Sequence, residues 1–458
     1  MNETTAGKPT LAQTTPSFSG KWMVLIAAFL GWMFDGLEMG LFPIIARPAI
    51  QDLLHVTDDK LVGLWNGIIQ SCFLVGAACG GLLFGWMGDK LGRVKTMVWS
   101  ILAYSLFTGL GYVATHPWQL GVLRFMAAMG MGGEWSLGVA LVMECWPERH
   151  RPVLAGMIGA ASNVGFLLIA VVGMLFPVTI TGHGLGWRWM MLAGAAPALL
   201  CLFILGFVPE SQRWKASVQK GPSRPLAEIF SPALAKKTIL AICFAGIPLI
   251  GTWAAVSGWV PVWTDQLAEK QEIAKISRQI NAPTPLTRDQ LTPEQVTAVK
   301  KETSGAKAVS QIMISIGAII GCFLAPVIGG KIGRRPAYFG LCLLSLIVCG
   351  ILFRAMGTYS PMFLLVVAAA GLTTAAFYGW LPLYLPELFP TRVRATGQGL
   401  SFNFGRVIAA AGVMGMGLMV YFRGGDYTFA LGTITLIYVL GLFLIWLAPE
   451  TKGKPLPE

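Results

Sequence analysis

Twelve apolar runs, each long enough to cross a bilayer, restrict the fold of this chain more than any other feature. They fall near 22–46, 62–87, 97–115, 118–143, 152–178, 187–207, 238–264, 308–330, 337–355, 361–386, 395–421 and 428–448. A hydrocarbon core about 30 Å thick needs roughly 20 apolar residues in a helix. Within it, every backbone polar group must be satisfied inside the segment or a closed barrel. The expected fold is therefore all-α, with twelve transmembrane helices. Composition agrees: only 12% of the 458 residues are charged, against roughly 25% in a soluble globular domain. Residues 1–20 lack the apolar stretch of a signal peptide, so the run after Lys21 reads as a first span.

Most breaks between the runs are short. Two are longer: 208–237, punctuated by Pro222, Pro225 and Pro232, and 265–307, polar throughout. With the N-terminus inside, the inner segments carry twenty Lys and Arg and the short outer loops five. That bias predicts two cytoplasmic termini and a periplasmic 265–307 loop. The net charge of +12 then reports topology, and nucleic acid is not an expected partner. The eight cysteines lie mostly in apolar runs without CxxC spacing, as buried free thiols do.

The chain also repeats itself. Glu144-Cys-Trp-Pro-Glu-Arg-His-Arg151 returns 243 residues on as Glu387-Leu-Phe-Pro-Thr-Arg-Val-Arg394 (144 to 387). Gly88-Asp-Lys-Leu-Gly-Arg93 returns 241 on as Gly329-Gly-Lys-Ile-Gly-Arg334, and Pro209-Glu-Ser returns 240 on as Pro449-Glu-Thr. Three matches in one order define two six-helix pseudo-repeats. Both copies fall on the same side, as in carriers whose parallel halves rock about a midplane site. The expected organisation is a cytoplasmic tail (1–21), a first half (22–207), a cytoplasmic linker (208–237), a second half (238–448) and a second tail (449–458).

Gly85-x-x-x-Asp89-Lys90-x-Gly92-Arg93 resembles the loop between helices 2 and 3 of the major facilitator superfamily. Arg124 followed by Gly130, Gly132 and Gly133 is similar to its helix-4 motif. Pro209-Glu-Ser-Gln-Arg-Trp214 and Pro449-Glu-Thr-Lys-Gly-Lys454 resemble the motifs that end each half of sugar porters and organic-ion transporters. Asp35-Gly-Leu-Glu38 in the first span resembles the acidic pair of metabolite:proton symporters of aromatic acids, sialic acid and related anions, and Gly405-Arg406 fits that branch. The resemblance implies a major facilitator fold and alternating access. Two departures stand out: Gly330 occupies the place of the acid in the second copy of the helix 2–3 motif, and the first-span pair is Asp and Glu rather than two Asp.

An ionised side chain in hydrocarbon costs at least roughly 2.5–3.5 kcal/mol on insertion scales, so each one marks a functional position. Asp35 and Glu38 lie mid-span, three residues apart and hence on one face. Carboxylates this close resist double ionisation, which suits one of them to proton exchange. The four histidines fall at span ends or in loops, so coupling rests on a carboxylate. The alternative for this pair is a fixed ion pair with Arg124, the partner that the resemblance implies. Glu134 follows Arg124 by ten residues, about 15 Å along a helix, too far to pair with it. It is either a second proton-sensitive group or a hydrogen-bonded acid packing the helix.

Arg406 has no acid near it in sequence. It can take a substrate carboxylate in bidentate fashion or pair across the two halves. Trp32, Asn66, Gln70, Asn163, Trp253, Tyr378 and Asn403 offer polar tips and flat faces to a small substrate, though each alone is equally a packing residue. Asp89, Arg93, Glu144, Arg149, Glu387 and Arg392 sit at cytoplasmic helix ends, either as a gate that pairs across the halves or as solvated topology charges. Gly76-x-x-x-Gly80 and Gly81-x-x-x-Gly85 permit close helix packing.

The sequence has no GxxxxGK[ST] phosphate loop, no HExxH and no metal-spaced Cys/His set. It predicts no enzyme activity, cofactor or metal. The expected protein is a monomeric multi-pass carrier of the bacterial inner membrane, acting on a small molecule and protons. Its expected function is proton-coupled symport of a small organic anion: a carboxylate, an aromatic acid or a sialic-acid-like compound. A neutral sugar or polyol porter or facilitator, and a drug or metabolite:proton antiporter, are the alternatives.

Overall fold

The computed structural model describes residues 18–55, 59–175, 186–219, 224–281, 286, 290–422 and 427–458. Long helices account for all twelve runs. In the first half they are α1 (Phe18–Leu54), α2 (Asp59–Leu91), α3 (Arg93–Leu110), α4 (Pro117–Cys145), α5 (Arg151–Leu175) and α6 (Gly186–Phe207). The second half holds α7 (Ala235–Gln279), α8 (Pro293–Ile332), α9 (Arg334–Ala355), α10 (Pro361–Glu387), α11 (Arg394–Phe422) and α12 (Tyr427–Leu447). Leu199, Leu202, Leu205, Phe207 and Phe443 are each more than 60% exposed. Large apolar side chains in such numbers on an outer surface require a lipid solvent. The protein is a multi-pass membrane protein.

The repeat seen in the sequence recurs in space. In the first half α4 packs on α2 and α3, and in the second α10 packs on α8 and α9. The halves meet along α2–α11 and α5–α8. Small residues bring these helices close. A Cβ on Gly76 would lie 2.2 Å from the Phe125 carbonyl of α4, and one on Gly80 1.8 Å from that of Met129. The second GxxxG faces the other half, with Gly81 against Asn403 and Gly85 against Ala395 of α11. The two stripes of α2 thus serve different partners: one builds the half, the other joins the halves.

Gly92 and Gly333, equivalent in the two motif copies, both adopt φ 110°, a backbone region open to glycine. Each turns the chain into a helix whose first amides are met by a carboxylate. Glu210 accepts from the amides of Arg93 and Val94 at 3.0 Å each. Glu450 accepts from Arg334 and Arg335 at 3.0 and 3.1 Å. The Pro-Glu-Ser/Thr repeats are therefore helix caps supplied from the end of each half.

One expectation changes. The 265–307 segment, read as a loop, is largely helical: α7 runs on to Gln279, and α8 starts at Pro293 behind a Thr292–Gln295 capping box. Its Glu, Lys, Gln and Ala residues are good helix formers, so polarity here marks departure from the bilayer and not the end of the helix. The linker at 208–237 likewise carries two short helices, Gln212–Gln219 and Pro225–Ile229. Most of the 1–21 tail lies outside the described residues.

Candidate functional site

Five charged side chains are buried in the middle of the bundle: Asp35, Glu38, Arg124, Glu134 and Arg406. They sort into two groups. Glu38 and Arg124 form an ion pair between α1 and α4. Thr108 donates to Glu38 Oε1 at 3.1 Å, and the guanidinium lies between the rings of Phe42 and Phe73, 4.8 and 4.6 Å from their centroids. Of the first-span pair, Glu38 is thus the member that faces Arg124, while Glu38 Oε2 and Arg124 Nε have no hydrogen-bond partner among the described residues.

Asp35 is held differently. Its charged neighbours are Glu134 of α4, Arg406 of α11 and Glu38. Glu134 reaches it across Gly31, where a Cβ would lie 1.6 Å from Glu134 Oε1. Outside this pair, neither carboxyl has a hydrogen-bond partner among the described residues. Arg406 has Asp35 as its acidic neighbour although the two lie in different halves.

Arg406 also lines a cavity between the halves. Trp32, Ser162, Asn163 and Phe166 come from the first half; Trp253, Ser257, Gln311, Tyr378 and Phe402 come from the second. A π-turn at Thr252–Val256 and a break in α10 at Ala376 carry Trp253 and Tyr378 to this wall. Such irregular backbone inside a membrane helix is tolerated where it borders a cavity. Phe402 is the aromatic centre: it stacks on Trp135 at 4.1 Å, meets Trp32 and Tyr378 edge-on, and lies 5.2 Å beneath the Arg406 guanidinium. Arg406 Nη1 and Trp32 Nε1 have no hydrogen-bond partner among the described residues, so both are donors that a ligand can satisfy.

Of the eight sequence-predicted substrate contacts, Arg406, Trp32, Asn163, Trp253 and Tyr378 line the cavity. Gln70 lies on α2 away from it, and the Asn66 side chain lies outside the described residues. Asn403 does not line it either: its amide donates to the carbonyls of Gly132 at 2.7 Å and Gly399 at 3.0 Å, tying α11 to α4. One turn along α11 from Asn403, the helix presents Arg406 to the cavity instead. Phe402 was missed, although its place four residues before Arg406 put it on the same face.

At the end of the bundle that carries the repeated motifs, the halves are clasped. Asp89 accepts from the Thr396 amide at 2.8 Å and its hydroxyl at 2.6 Å, and from the Ala395 amide at 3.3 Å. Glu144 takes Arg93 at 3.2 Å from its own half and Arg394 at 2.9 Å from the other. Arg93 adds a bond to the Thr391 carbonyl at 2.8 Å. Three other predicted gate residues make no hydrogen bond across the halves among the described residues, although the charge of Glu387 lies near Arg151 of the first half. Glu387 binds Arg334 of its own half at 2.6 and 3.0 Å. Arg149 stands exposed on a short turn, bonded to His150. Arg392 pairs with Glu228 of the linker. The bridging arginine is Arg394, the second of its motif, because the turn at Thr391–Val393 points Arg392 outward and starts α11 at Arg394.

A chain of twelve helices in two clasped halves around a central cavity is a membrane transporter and not an enzyme. The description Major Facilitator Superfamily matches residues 22–274, and Sugar (and other) transporter matches 278–453. The chain belongs to the major facilitator superfamily. Its relatives include the sialic acid transporter NanX of Escherichia coli, 26% identical over 94% of each chain. The cis,cis-muconate transport protein of Acinetobacter baylyi is 27% identical, over 92% of this chain and 95% of the relative. Among solved structures, the proton:xylose symporter XylE superposes with a TM-score of 0.66 at 19% identity, covering 96% of this chain and 98% of that one, which speaks to the fold alone.

Proposed function

We propose that this protein carries a small organic anion together with protons across the bacterial inner membrane, by alternating access. The observation that carries this reading is Arg406. It is the one charged side chain on the described cavity wall, one of its nitrogens has no partner among the described residues, and its acidic neighbour is Asp35 of the other half. A guanidinium in such a place suits a carboxylate. The relatives named for sialic acid and for muconate support an acid substrate, and the aromatic wall supports a flat or ring-shaped one.

Coupling follows from charge. With all five central groups ionised, three acids face two arginines and the core bears one negative charge. One proton on the Asp35–Glu134 pair neutralises it. A bound anion at Arg406 takes the guanidinium from Asp35 and calls for a second proton before the loaded core is neutral, and burial of uncompensated charge is the costliest alternative. Substrate and proton then enter together. Asp89, Glu144 and Arg394 form the gate on the cytoplasmic side, closed while the cavity serves the outside.

The test is substrate-induced proton movement in proteoliposomes, screened over aromatic acids, monocarboxylates, sialic acid and neutral sugars. Alkalinisation outside with one acid, lost in Asp35→Asn, supports symport. Labelled flux without a proton signal sinks the coupling and leaves a facilitator. Transport of a neutral sugar by an Arg406→Gln variant at the wild-type rate would instead favour the porter reading.

A further inference from the structure

The clasp between the halves has a third participant that neither half's transmembrane core supplies. After the cap formed by Glu450, the chain does not run out into water. Thr451 is buried and its hydroxyl donates to Glu387 Oε2 at 2.6 Å. Gly453, at φ 74°, turns the backbone, and Lys452 reaches the Lys331 carbonyl at 2.6 Å. Leu456 is then only 4% exposed, unusual for an apolar side chain in a segment without regular structure. The next carbonyl, that of Pro457, accepts from Arg394 Nη2 at 2.8 Å and from the Thr391 hydroxyl at 3.3 Å.

Those two residues are among the ones through which the second half holds the first. Arg394 Nη1 donates to Glu144, and the Thr391 carbonyl receives Arg93. Arg394 is wholly buried, so its guanidinium needs several acceptors at once. The Pro457 carbonyl fixes Nη2, the Pro386 carbonyl fixes Nε at 3.2 Å, and Nη1 is left aimed at Glu144. The first half has a matching brace: Ser211 donates to Glu144 Oε2 at 2.5 Å, and Trp214 donates to the Asp89 carbonyl at 2.9 Å. Each half's terminal motif thus steadies the gate residues beside it.

We infer that residues 451–458 are a positioning strap for the gate: Leu456 seats the segment, and the Pro457 carbonyl holds Arg394 and Thr391 in register with Glu144 and Arg93. These contacts are all to residues of the second half, so the strap travels with that half and acts by keeping Arg394 and Thr391 aimed at their partners. It therefore sets how long the carrier remains closed on the cytoplasmic side. This inference rests on the gate reading given above and extends it to the segment that follows the last span.

Backbone hydrogen exchange followed by mass spectrometry on the full chain in detergent micelles tests it, because the amides of Ala395 and Thr396 are themselves gate donors. In Leu456→Asp, exchange in peptides covering 391–400 and 88–97 is expected to run at least about threefold faster, with the outer parts of α1 and α7 unchanged. Leu456→Met should restore the wild-type rate. Asp89→Asn serves as the gate control. If Asp89→Asn accelerates those peptides and Leu456→Asp does not, the strap is refuted and the gate stands. If neither variant does, the gate reading falls with it. Acceleration spread evenly over both halves in Leu456→Asp, or no rescue by Leu456→Met, also overturns the strap, since a loss of packing alone would produce it.

Discussion

The hydroxyl of Thr396, on α11, donates to Asp89 Oδ2, on α2, at 2.6 Å, and the same oxygen takes the Thr396 amide at 2.8 Å. A single carboxylate of one half therefore caps the first turn of a helix in the other. Hydrogen bonds to a charged acceptor contribute about 1.5–3 kcal/mol each, and the helix terminus adds its own attraction. Asp89→Asn is expected to weaken the closed gate far more than Thr396→Val, which leaves the two amide donors in place. Net uptake into right-side-out vesicles measures it: a strong loss for Asp89→Asn beside a loss within about threefold for Thr396→Val, and equal losses would contradict the capping role.

Asp35 and Glu38 should behave differently despite their shared helix face. Glu38→Gln leaves Arg124 buried without its counter-charge, a defect of about 3–5 kcal/mol, and should lower the melting temperature of the purified carrier. Asp35→Asn removes an acid that has no hydrogen bond outside the Glu134 pair, and should leave melting near wild type while abolishing the proton signal. Thermal unfolding measured next to proton uptake separates the two, and a swap of these phenotypes would reverse the assignment.

Arg406→Lys keeps the charge and loses the two-pronged geometry, while Arg406→Gln loses both. The half-saturation concentration for an anionic substrate is expected to rise about tenfold in the lysine variant and more in the glutamine variant. Binding measured by calorimetry on the purified protein reports it directly. Equal affinity in all three proteins would mean that the anion sits elsewhere.

If loading a monoanion calls for one extra proton, the two charges cancel. Uptake of such a substrate should then be driven by a pH gradient and should not respond to a potassium–valinomycin potential. A steep dependence on voltage at constant pH would require a further proton or an uncompensated charge.

Gly31 is occupied from the outside by Glu134, and a methyl there would lie 1.6 Å from Oε1. Gly31→Ala should therefore abolish coupled transport, and Glu134→Ala added to it should restore folding yield by removing the clash. That non-additivity, read from expression and melting temperature, identifies direct contact.

Much of the architecture was legible beforehand. Apolar length exposed the spans, and three motif repeats exposed the halves, because both are one-dimensional signals. The first copy's acid and the second copy's Gly330 were likewise visible as an asymmetry. What stayed hidden depended on how helices from different halves face each other. Nothing in the local sequence of Arg406 points to Asp35, some 370 residues earlier, and nothing around Asn403 says that its amide is spent on Gly132. The choice between Arg392 and Arg394 turned on three residues of backbone, Thr391–Val393, whose turn decides which arginine faces inward. The polar helical stretch beyond Trp263 was misread because polarity signals exit from the bilayer and says little about whether the backbone stays coiled.

Gly330 gives the gate a handedness. A Cβ there would lie 2.9 Å from Pro152, so the second seam, along α5 and α8, closes by shape where the first closes by charge. Its partners are the backbones at Gly156 and Gly159, against Phe323 and Tyr378, with no carboxylate cap among the described residues to be unmade. Salt and acid are therefore expected to loosen the first seam more than the second, where Arg151 and Glu387 are the charges that face each other. The halves are then expected to part first on the α2–α11 side, with the α5–α8 side as the hinge.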